Sequence, residues 1–191
     1  TRYTPFLFIT LMLILFQPDT STTITIAMII MLMLFTAATD WRFIAGITSV
    51  GIGGLLIKVL HTPYAMDRIL NWNDVQKVQS LNAFGTGGLL GSGLGDSIVK
   101  NGHLPQAHTD FILPIVGEEL GFLGILVLFI MFWCLYNRGI AVVREAPDLF
   151  SMFLALGIIS SVMIYFLINA AYVIGLAPTT GLPMPFISYG G

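Results

Sequence analysis

The stretch that decides the fold runs from Leu104 to Trp133 and reads LPQAHTDFILPIVGEELGFLGILVLFIMFW. Its second half is an unbroken apolar run, which is typical of a membrane helix. Its first half carries three carboxylates, Asp110, Glu118 and Glu119, where that helix should begin. A carboxylate at the edge of a hydrocarbon layer is costly unless it has a partner or a function. The stretch therefore predicts a membrane span with a functional site at its start.

The composition of the whole chain also indicates a membrane protein. Of its 191 residues, 56% are hydrophobic and 9% are charged, and the mean hydropathy is +0.89. Soluble domains carry about 25% charged residues, so this chain lacks the charge to cover a water-facing surface. The net charge of -2 argues against nucleic acid as a partner. Because the chain starts with Thr1 and stops without a polar tail, we expect it to be a fragment of a longer protein.

Five apolar stretches approach the roughly 20 residues that a membrane helix needs. We therefore predict an all-α, polytopic helical membrane protein with about five transmembrane helices, in which residues 1–191 form a single membrane domain. A long connection, residues 61–109, separates the third stretch from the fourth and is predicted to be one large extracytoplasmic loop. The five stretches are residues 5–16, 22–38, 43–60, 111–136 and 149–177.

Basic residues predict the orientation of these helices. Arg138 and Arg144 lie in the predicted connection of residues 137–148. By the positive-inside rule, the side that carries this connection is cytoplasmic. The large loop and the C-terminal residues 178–189 then face outward.

Asp110 is the first candidate for chemistry. A helix that starts near Thr109 would place Asp110 in its first turn, where the helix dipole stabilises a carboxylate. Such a residue serves either as a helix cap or as a general base at the outer membrane surface. Pro114 is expected to kink the helix. Glu118, eight residues after Asp110, is expected to line the same cavity wall.

The stretch FGTGGLLGSGLGDS, residues 84–97, is rich in glycine but matches neither the dinucleotide nor the P-loop fingerprint. Gly87, Gly91 and Gly95 recur every four residues, which favours either a closely packed helix or backbone that approaches a ligand. Lys100 follows this stretch and is a candidate to face an anionic substrate.

Two histidines and one asparagine allow further predictions. His103 and His108 precede Asp110 without a diagnostic metal spacing, so we predict no metal site made by the protein alone. A divalent ion that bridges Asp110 and a substrate diphosphate is the arrangement we expect instead. Asn169, inside the fifth apolar stretch, is predicted to hydrogen-bond to another helix.

Four segments, in this order, resemble the SEDS family, which includes FtsW, RodA and SpoVE. The segments are QPD (residues 17–19), GTGGLLGSGLGDSIVKNGHLPQAHTDF (residues 85–111), GEELGFLG (residues 117–124) and PTTGLPMPFISYGG (residues 178–191). The resemblance extends over nearly the whole chain, and the residues of the matching segments favour the FtsW and SpoVE types over RodA. It implies a bundle of about ten membrane helices, of which this chain is the middle to late half. Gln106 stands where many members carry Glu.

The resemblance implies a peptidoglycan glycosyltransferase of the FtsW type, which polymerises lipid II in the bacterial cytoplasmic membrane at the division septum. The 4-hydroxyl of one lipid-linked disaccharide-peptide attacks the anomeric carbon of the growing glycan, and undecaprenyl diphosphate leaves. The resemblance places the catalytic carboxylate of the family at Asp110, which would act as general base. Lys100, or a Mg²⁺ or Mn²⁺ ion bound with the diphosphate, would stabilise the leaving group.

The resemblance also implies substrate contacts and partners. The expected partners are a class B penicillin-binding protein, which is a transpeptidase, and other division proteins. Two rival functions are a lipid II flippase, which an intramembrane carboxylate and broken helices would suit, and a non-catalytic division scaffold. The predicted substrate-binding residues are Gln17, Asp19, Lys100, His108 and Glu118.

Overall fold

The described part of the chain is helical and contains no strand, which confirms the all-α prediction. It divides into two compact units, Thr1–Leu70 and Asn71–Gly191, each of which is treated by itself below. The computed structural model describes residues 9, 13, 20–38, 40–61, 75–97, 109–178 and 180–189. The helices are α1 (Thr20–Thr36), α2 (Trp41–His61), α3 (Val75–Gly87), α4 (Ile112–Glu145) and α5 (Leu149–Val173).

The first unit contains α1 and α2, which correspond to the predicted stretches 22–38 and 43–60. The two helices contact each other where the Thr48 hydroxyl lies 3.3 Å from the sulfur of Met31. The predicted stretch of residues 5–16 lies almost entirely outside the described residues.

In the second unit, α4 and α5 are long and apolar enough to cross a membrane, with 34 and 25 residues. The rings of Phe132 and Phe166 stack between them with their centroids 3.9 Å apart. Gly139 permits a close approach, because a Cβ added there would lie 2.5 Å from Cγ1 of Ile159. Close helix packing through a small residue is common in membrane bundles.

The end of α4 lies later than the sequence predicts. The helix continues through most of the predicted connection of residues 137–148 and stops at Glu145. Ala146 is extended, with φ -61° and ψ 131°, because the residue before a proline is disfavoured in the helical region. The connection between α4 and α5 is therefore only residues 146–148.

Local interactions determine where α5 begins and where it ends. The Asp148 carboxylate caps the helix by accepting hydrogen bonds from the hydroxyl of Ser151 at 2.6 Å and its amide at 3.1 Å. These bonds hold the pKa of Asp148 below its usual value. The helix ends at Val173 rather than Ala177 because Gly175 adopts a φ of +81° and terminates it.

Helix α3 lies within residues 61–109, so the segment predicted as a loop contains regular structure. Its buried residues Ser80, Ala83 and Gly87 recur at helical spacing. This buried face consists of small and polar side chains, so it lacks the large apolar stripe by which an amphipathic helix is recognised. Phe84 covers Gly117 of α4, where an added Cβ would lie 2.4 Å from the ring.

The sequence predicts a kink in α4 at Pro114. The helix is broken at Gly121 instead. Gly121 has φ 67° and ψ -165°, a combination that is essentially restricted to glycine. Pro114 lies in the first turn of α4, where its missing N–H removes no helical hydrogen bond. The break divides α4 into a half-helix, residues 112–120, and a longer part, residues 122–145.

The glycine loop, residues 88–97, fills this break through four backbone hydrogen bonds. In an unbroken helix the amides of residues 122 and 123 would bond the carbonyls of residues 118 and 119. Here the loop provides both the acceptors for those amides and the donors for those carbonyls, so the break leaves none of these groups without a partner. The donor and acceptor pairs are Ser92 N to Glu118 O (2.9 Å), Gly93 N to Glu119 O (3.1 Å), Phe122 N to Gly88 O (2.9 Å) and Leu123 N to Leu89 O (3.2 Å).

The three glycines that recur every four residues are required for two different reasons. A Cβ added at Gly87 would lie 2.0 Å from the carbonyl oxygen of Gly117, and one added at Gly91 would lie 2.1 Å from that of Glu119. The prediction of close packing is therefore confirmed at these two positions. Gly95 has no atom near its added Cβ, but its φ is +91°, which glycine adopts most readily. Residues 88–97 form turns rather than the predicted helix.

We expect Gly121→Ala to destabilise the protein by about 3 kcal/mol or more. The new Cβ would lie 2.4 Å from the backbone nitrogen of Gly91, in a backbone conformation that alanine avoids. The measurement is thermal unfolding of the full-length protein in detergent. Gly85→Ala in α3 is the control, because its Cβ would have nothing within 4 Å and alanine favours a helix. Equal stability of Gly121→Ala and wild type would contradict the role of the break.

Candidate functional site

Asp110 lies in the turn directly before α4. The helix has Phe111 as its N-cap and begins at Ile112, so Asp110 precedes the first turn rather than lying in it. Only 8% of its surface is exposed. The carboxylate is still near the positive end of the helix dipole, which favours its charged form.

The peptide group of Asp110 is held by two side chains of α5. Its carbonyl oxygen accepts hydrogen bonds from Nδ2 of Asn169, at 3.0 Å, and from the hydroxyl of Tyr172. The same Asn169 nitrogen lies 2.8 Å from the carbonyl oxygen of Leu182. Asn169 was expected to bond to another helix, and its partners are instead the turn before α4 and the C-terminal segment. We call Asn169 and Tyr172 the α5 clamp.

The C-terminal segment, residues 180–189, packs over Asp110. The Ser188 hydroxyl donates to the carbonyl of Thr109 and accepts from the amide of Met184 at 2.8 Å. Gly181 lies beside the carboxylate, since a Cβ added there would be 3.5 Å from Oδ2 of Asp110. Its φ of +70° again suits glycine. Residues 180–189 thus contribute part of the wall around Asp110.

Apolar packing also supports the turn that carries Asp110. Phe111 and Tyr172 meet edge to face with their centroids 5.5 Å apart. Met184 is fully buried in the same cluster. Burial of the Tyr172 ring with its hydroxyl hydrogen-bonded is the usual arrangement for a core tyrosine.

Helix α3 is attached to the same end of α5. The Ser80 hydroxyl donates to the carbonyl of Val173 at 2.7 Å. The side chain of Lys77 lies against Gly175, where an added Cβ would be 2.2 Å from Cε. An ammonium group at the C-terminal end of a helix is favoured by the helix dipole.

Glu118 lies at the other end of the half-helix from Asp110. The helical part between them, from Ile112 to Glu118, rises about 9 Å along its axis. The Glu118 side chain is 1% exposed, and its carboxylate accepts hydrogen bonds from Ser97 and from Thr86, the latter at 3.5 Å. These partners belong to the glycine loop and to α3. A role for Glu118 in substrate binding stays a prediction.

The other predicted substrate-binding residues lie outside the described residues. Among the residues that the structure does describe, no group of three His, Cys, Asp or Glu side chains could hold a metal ion. Asp110 offers one carboxylate, which suits a Mg²⁺ ion that is bound mainly by substrate phosphates. The residues not described are Gln17, Asp19, Lys100, His103 and His108.

Sequence reasoning missed several residues of the site. Tyr172 is three positions from Asn169 in an apolar helix, and residues at this spacing share one face. That pair of polar side chains was the signal that could have identified the α5 clamp. Thr86, Ser97 and Ser188 gave no such signal, because hydroxyl side chains are common in turns and their partners are distant in sequence.

The fold and the site together define a class: a helical membrane protein in which a buried carboxylate precedes a broken membrane helix. A sequence model described as "Cell cycle protein", for the FtsW, RodA and SpoVE proteins, matches residues 2–191. The chain belongs to this family.

Individual relatives agree with this assignment. The chain is 42% identical to the "Probable peptidoglycan glycosyltransferase FtsW" of Trichlorobacter lovleyi, over 99% of this chain and 52% of the relative. It is 40% identical to the "Stage V sporulation protein E" of Bacillus subtilis, over 94% of this chain and 52% of the relative. The chain thus spans about half the length of these curated relatives.

A solved structure has the same fold. It is described as "Structural coordination of polymerization and crosslinking by a peptidoglycan synthase complex", and it matches with a TM-score of 0.70 over 95% of this chain and 53% of that chain. The two sequences are 21% identical over the match.

We expect the α5 clamp to contribute measurably to stability. Asn169→Ala would leave buried carbonyls of Asp110 and Leu182 with fewer donors and should cost about 2–3 kcal/mol. Tyr172→Phe keeps the ring against Phe111 and should cost about 1 kcal/mol. Thermal unfolding of the full-length variants measures both effects.

Tyr165→Phe is the matched control for the clamp. Tyr165 lies on the same helix, and its hydroxyl has no hydrogen bond among the described residues. This variant should unfold at the wild-type temperature. A clamp made of Asn169 is ruled out if Asn169→Ala is as stable as Tyr165→Phe.

Proposed function

We propose that this chain supplies the catalytic part of a peptidoglycan glycosyltransferase that polymerises lipid II, with Asp110 as general base. One observation carries the proposal: a nearly buried carboxylate lies at the start of a membrane helix, and its peptide group is held by α5. A group positioned in this way pays little reorganisation when it reacts. The names of the FtsW relatives support the same reaction class.

The proposed reaction joins two lipid-linked saccharides. The Asp110 carboxylate accepts the proton of the attacking 4-hydroxyl while that oxygen forms a bond to the anomeric carbon. The bond from this carbon to the diphosphate breaks, and the electron pair leaves with undecaprenyl diphosphate. Proton transfer to a positioned base contributes typically 10²–10⁴-fold to the rate.

The leaving diphosphate requires positive charge. Lys100 is proposed for this role, and so is a divalent cation held by the diphosphate and Asp110. A bound Mg²⁺ or Mn²⁺ ion would neutralise charge on the diphosphate oxygens. His108, Gln17 and Asp19 are the further proposed substrate contacts.

We also propose an orientation in the cytoplasmic membrane. Arg138 and Arg144 are near the end of α4 that leads into the connection of residues 146–148, and that end is assigned to the cytoplasm by the positive-inside rule. Asp110 and the C-terminal segment lie near the opposite ends of α4 and α5, so they are assigned to the outer side. This is the side on which an extracytoplasmic cell wall would be built.

The full-length protein is proposed to cross the membrane several times, with about five of its helices in this chain, and to act at the division septum. A class B penicillin-binding protein is the proposed partner. The solved structure with the same fold is described as a peptidoglycan synthase complex, which supports a partner of this kind.

The decisive experiment is glycan polymerisation by the full-length protein carrying Asp110→Asn. Asparagine keeps the shape of the side chain but cannot accept the proton, so we expect the rate to fall ~10²–10⁴-fold. Binding of lipid II, measured in parallel, should change far less, because the diphosphate and the lipid tail provide most of the contacts. Wild-type polymerisation by this variant would remove the catalytic role. Loss of both folding and binding would show that Asp110 is structural.

Cysteine labelling tests the proposed orientation. Tyr189, in the C-terminal segment, is 83% exposed. In a Cys134→Ala background, we expect the Tyr189→Cys variant to react with a membrane-impermeant maleimide added to intact cells. Glu145→Cys, at the other end of the bundle, should react only after the membrane is permeabilised. The reverse pattern, or equal labelling of both sites in intact cells, would refute the orientation.

A further inference from the structure

The break at Gly121 has a mechanical consequence for Asp110. In a continuous helix, residues 112–120 would be oriented by the ladder of hydrogen bonds to residues 122–145. At the break, the amides of Phe122 and Leu123 bond the glycine loop instead. The half-helix that carries Asp110 at its start is therefore oriented by other contacts.

Glu118 makes most of the contacts that replace this continuity. Its backbone carbonyl accepts from the amide of Ser92 at 2.9 Å and from the hydroxyl of Ser92 at 3.0 Å. Its carboxylate accepts from the Ser97 hydroxyl, and its other oxygen lies 3.5 Å from the Thr86 hydroxyl, whose proton is shared with the carbonyl of Ala83 at 3.0 Å. A single residue thus joins the half-helix to α3, to the middle of the glycine loop at Ser92 and to its end at Ser97.

Because Glu118 is buried, its carboxylate must obtain its hydrogen bonds from the protein. With 1% of its surface exposed, the carboxylate depends on protein hydroxyls rather than on bulk water for hydrogen bonds. Removing it would leave the Ser97 hydroxyl, which is fully buried, without this acceptor. Hydroxyl donors from two separate segments also define the rotation of the half-helix about its axis, because Thr86 and Ser97 approach different carboxylate oxygens.

We infer that Glu118 is a positioning residue that sets the rotation and depth of residues 112–120 and thereby places Asp110 for proton transfer. The inference rests on the proposed function of Asp110. Glu118 does not contact the reacting atoms in this role, since its carboxylate lies against Ser97 and Thr86, at the other end of residues 112–120 from Asp110. Displacement of a catalytic group by about 1 Å can reduce the rate 10²-fold while substrate binding is little changed.

The test compares two substitutions of Glu118 in the full-length protein with its membrane-embedded substrate, lipid II. Glu118→Leu removes both carboxylate links, so we expect kcat for polymerisation to fall about 10–100-fold and KM to stay within about twofold. Glu118→Gln keeps an acceptor for one hydroxyl and provides a donor for the other. It should retain kcat within about threefold of wild type. Glu145→Leu, on the same helix beyond the break, is the matched control and should behave as wild type.

The inference is overturned if Glu118→Leu has wild-type kcat, or if Glu118→Gln is as slow as Glu118→Leu. It is also overturned if the loss appears in KM instead of kcat. If Glu118→Leu does not fold, the double variant Thr86→Val with Ser97→Ala decides the question, because it removes the two donors and leaves the carboxylate. A lowered kcat at unchanged KM supports the inference, and a wild-type kcat refutes it.

Failure of this inference can be distinguished from failure of the proposed function. If Asp110→Asn is inactive and Glu118→Leu is fully active, Asp110 is the base and Glu118 does not position it. If Asp110→Asn polymerises lipid II at the wild-type rate, the proposed function is wrong and the inference fails with it.

Discussion

The second unit depends on the exchange of backbone hydrogen bonds between α4 and the glycine loop. A membrane helix that breaks exposes amides and carbonyls, and each of them is costly in hydrocarbon unless the protein supplies a partner. Gly121 creates the break, and the loop supplies two acceptors and two donors at that point. Gly91 makes the approach close enough, because any Cβ there would collide with the Glu119 backbone.

The exchange divides α4 into two parts with different roles. Residues 122–145 pack on α5 through stacked aromatic rings and through Gly139, as in an ordinary membrane bundle. Residues 112–120 are held at one end by the glycine loop and α3 and, through the turn before them, by the α5 clamp at the other. A short helix anchored at both ends is a suitable support for a group that must be positioned accurately.

The Glu118 carboxylate and the Asn169 amide nitrogen are buried in this unit with hydrogen-bonding partners, as most buried polar groups are. The carboxylate of Glu118 has hydroxyl donors, and the amide of Asn169 joins three segments of chain. The α5 clamp uses backbone carbonyls of Asp110 and Leu182 rather than the Asp110 carboxylate. It therefore positions Asp110 through its peptide group.

The sequence by itself determined the helical membrane class and the family, and it identified Asp110 as the first candidate site residue. These follow from continuous apolar runs and from a motif of unusual residues at a helix start, which are local properties. It also indicated that Gly87 and Gly91 permit close packing. Only the tertiary structure decided what approaches them, since their neighbours in α4 are about thirty residues away in the chain.

The tertiary structure likewise decided where α4 breaks. Pro114 is the stronger local signal, but it lies in the first turn, where a missing N–H costs nothing. Gly121 breaks the helix because a distant loop supplies hydrogen bonds for the freed backbone groups, and no local pattern reports that supply. The clamp of Tyr172 on Asp110 was hidden for the same reason. Hydrogen bonds between segments that are far apart in sequence depend on packing, whereas hydrophobic periodicity depends only on neighbours.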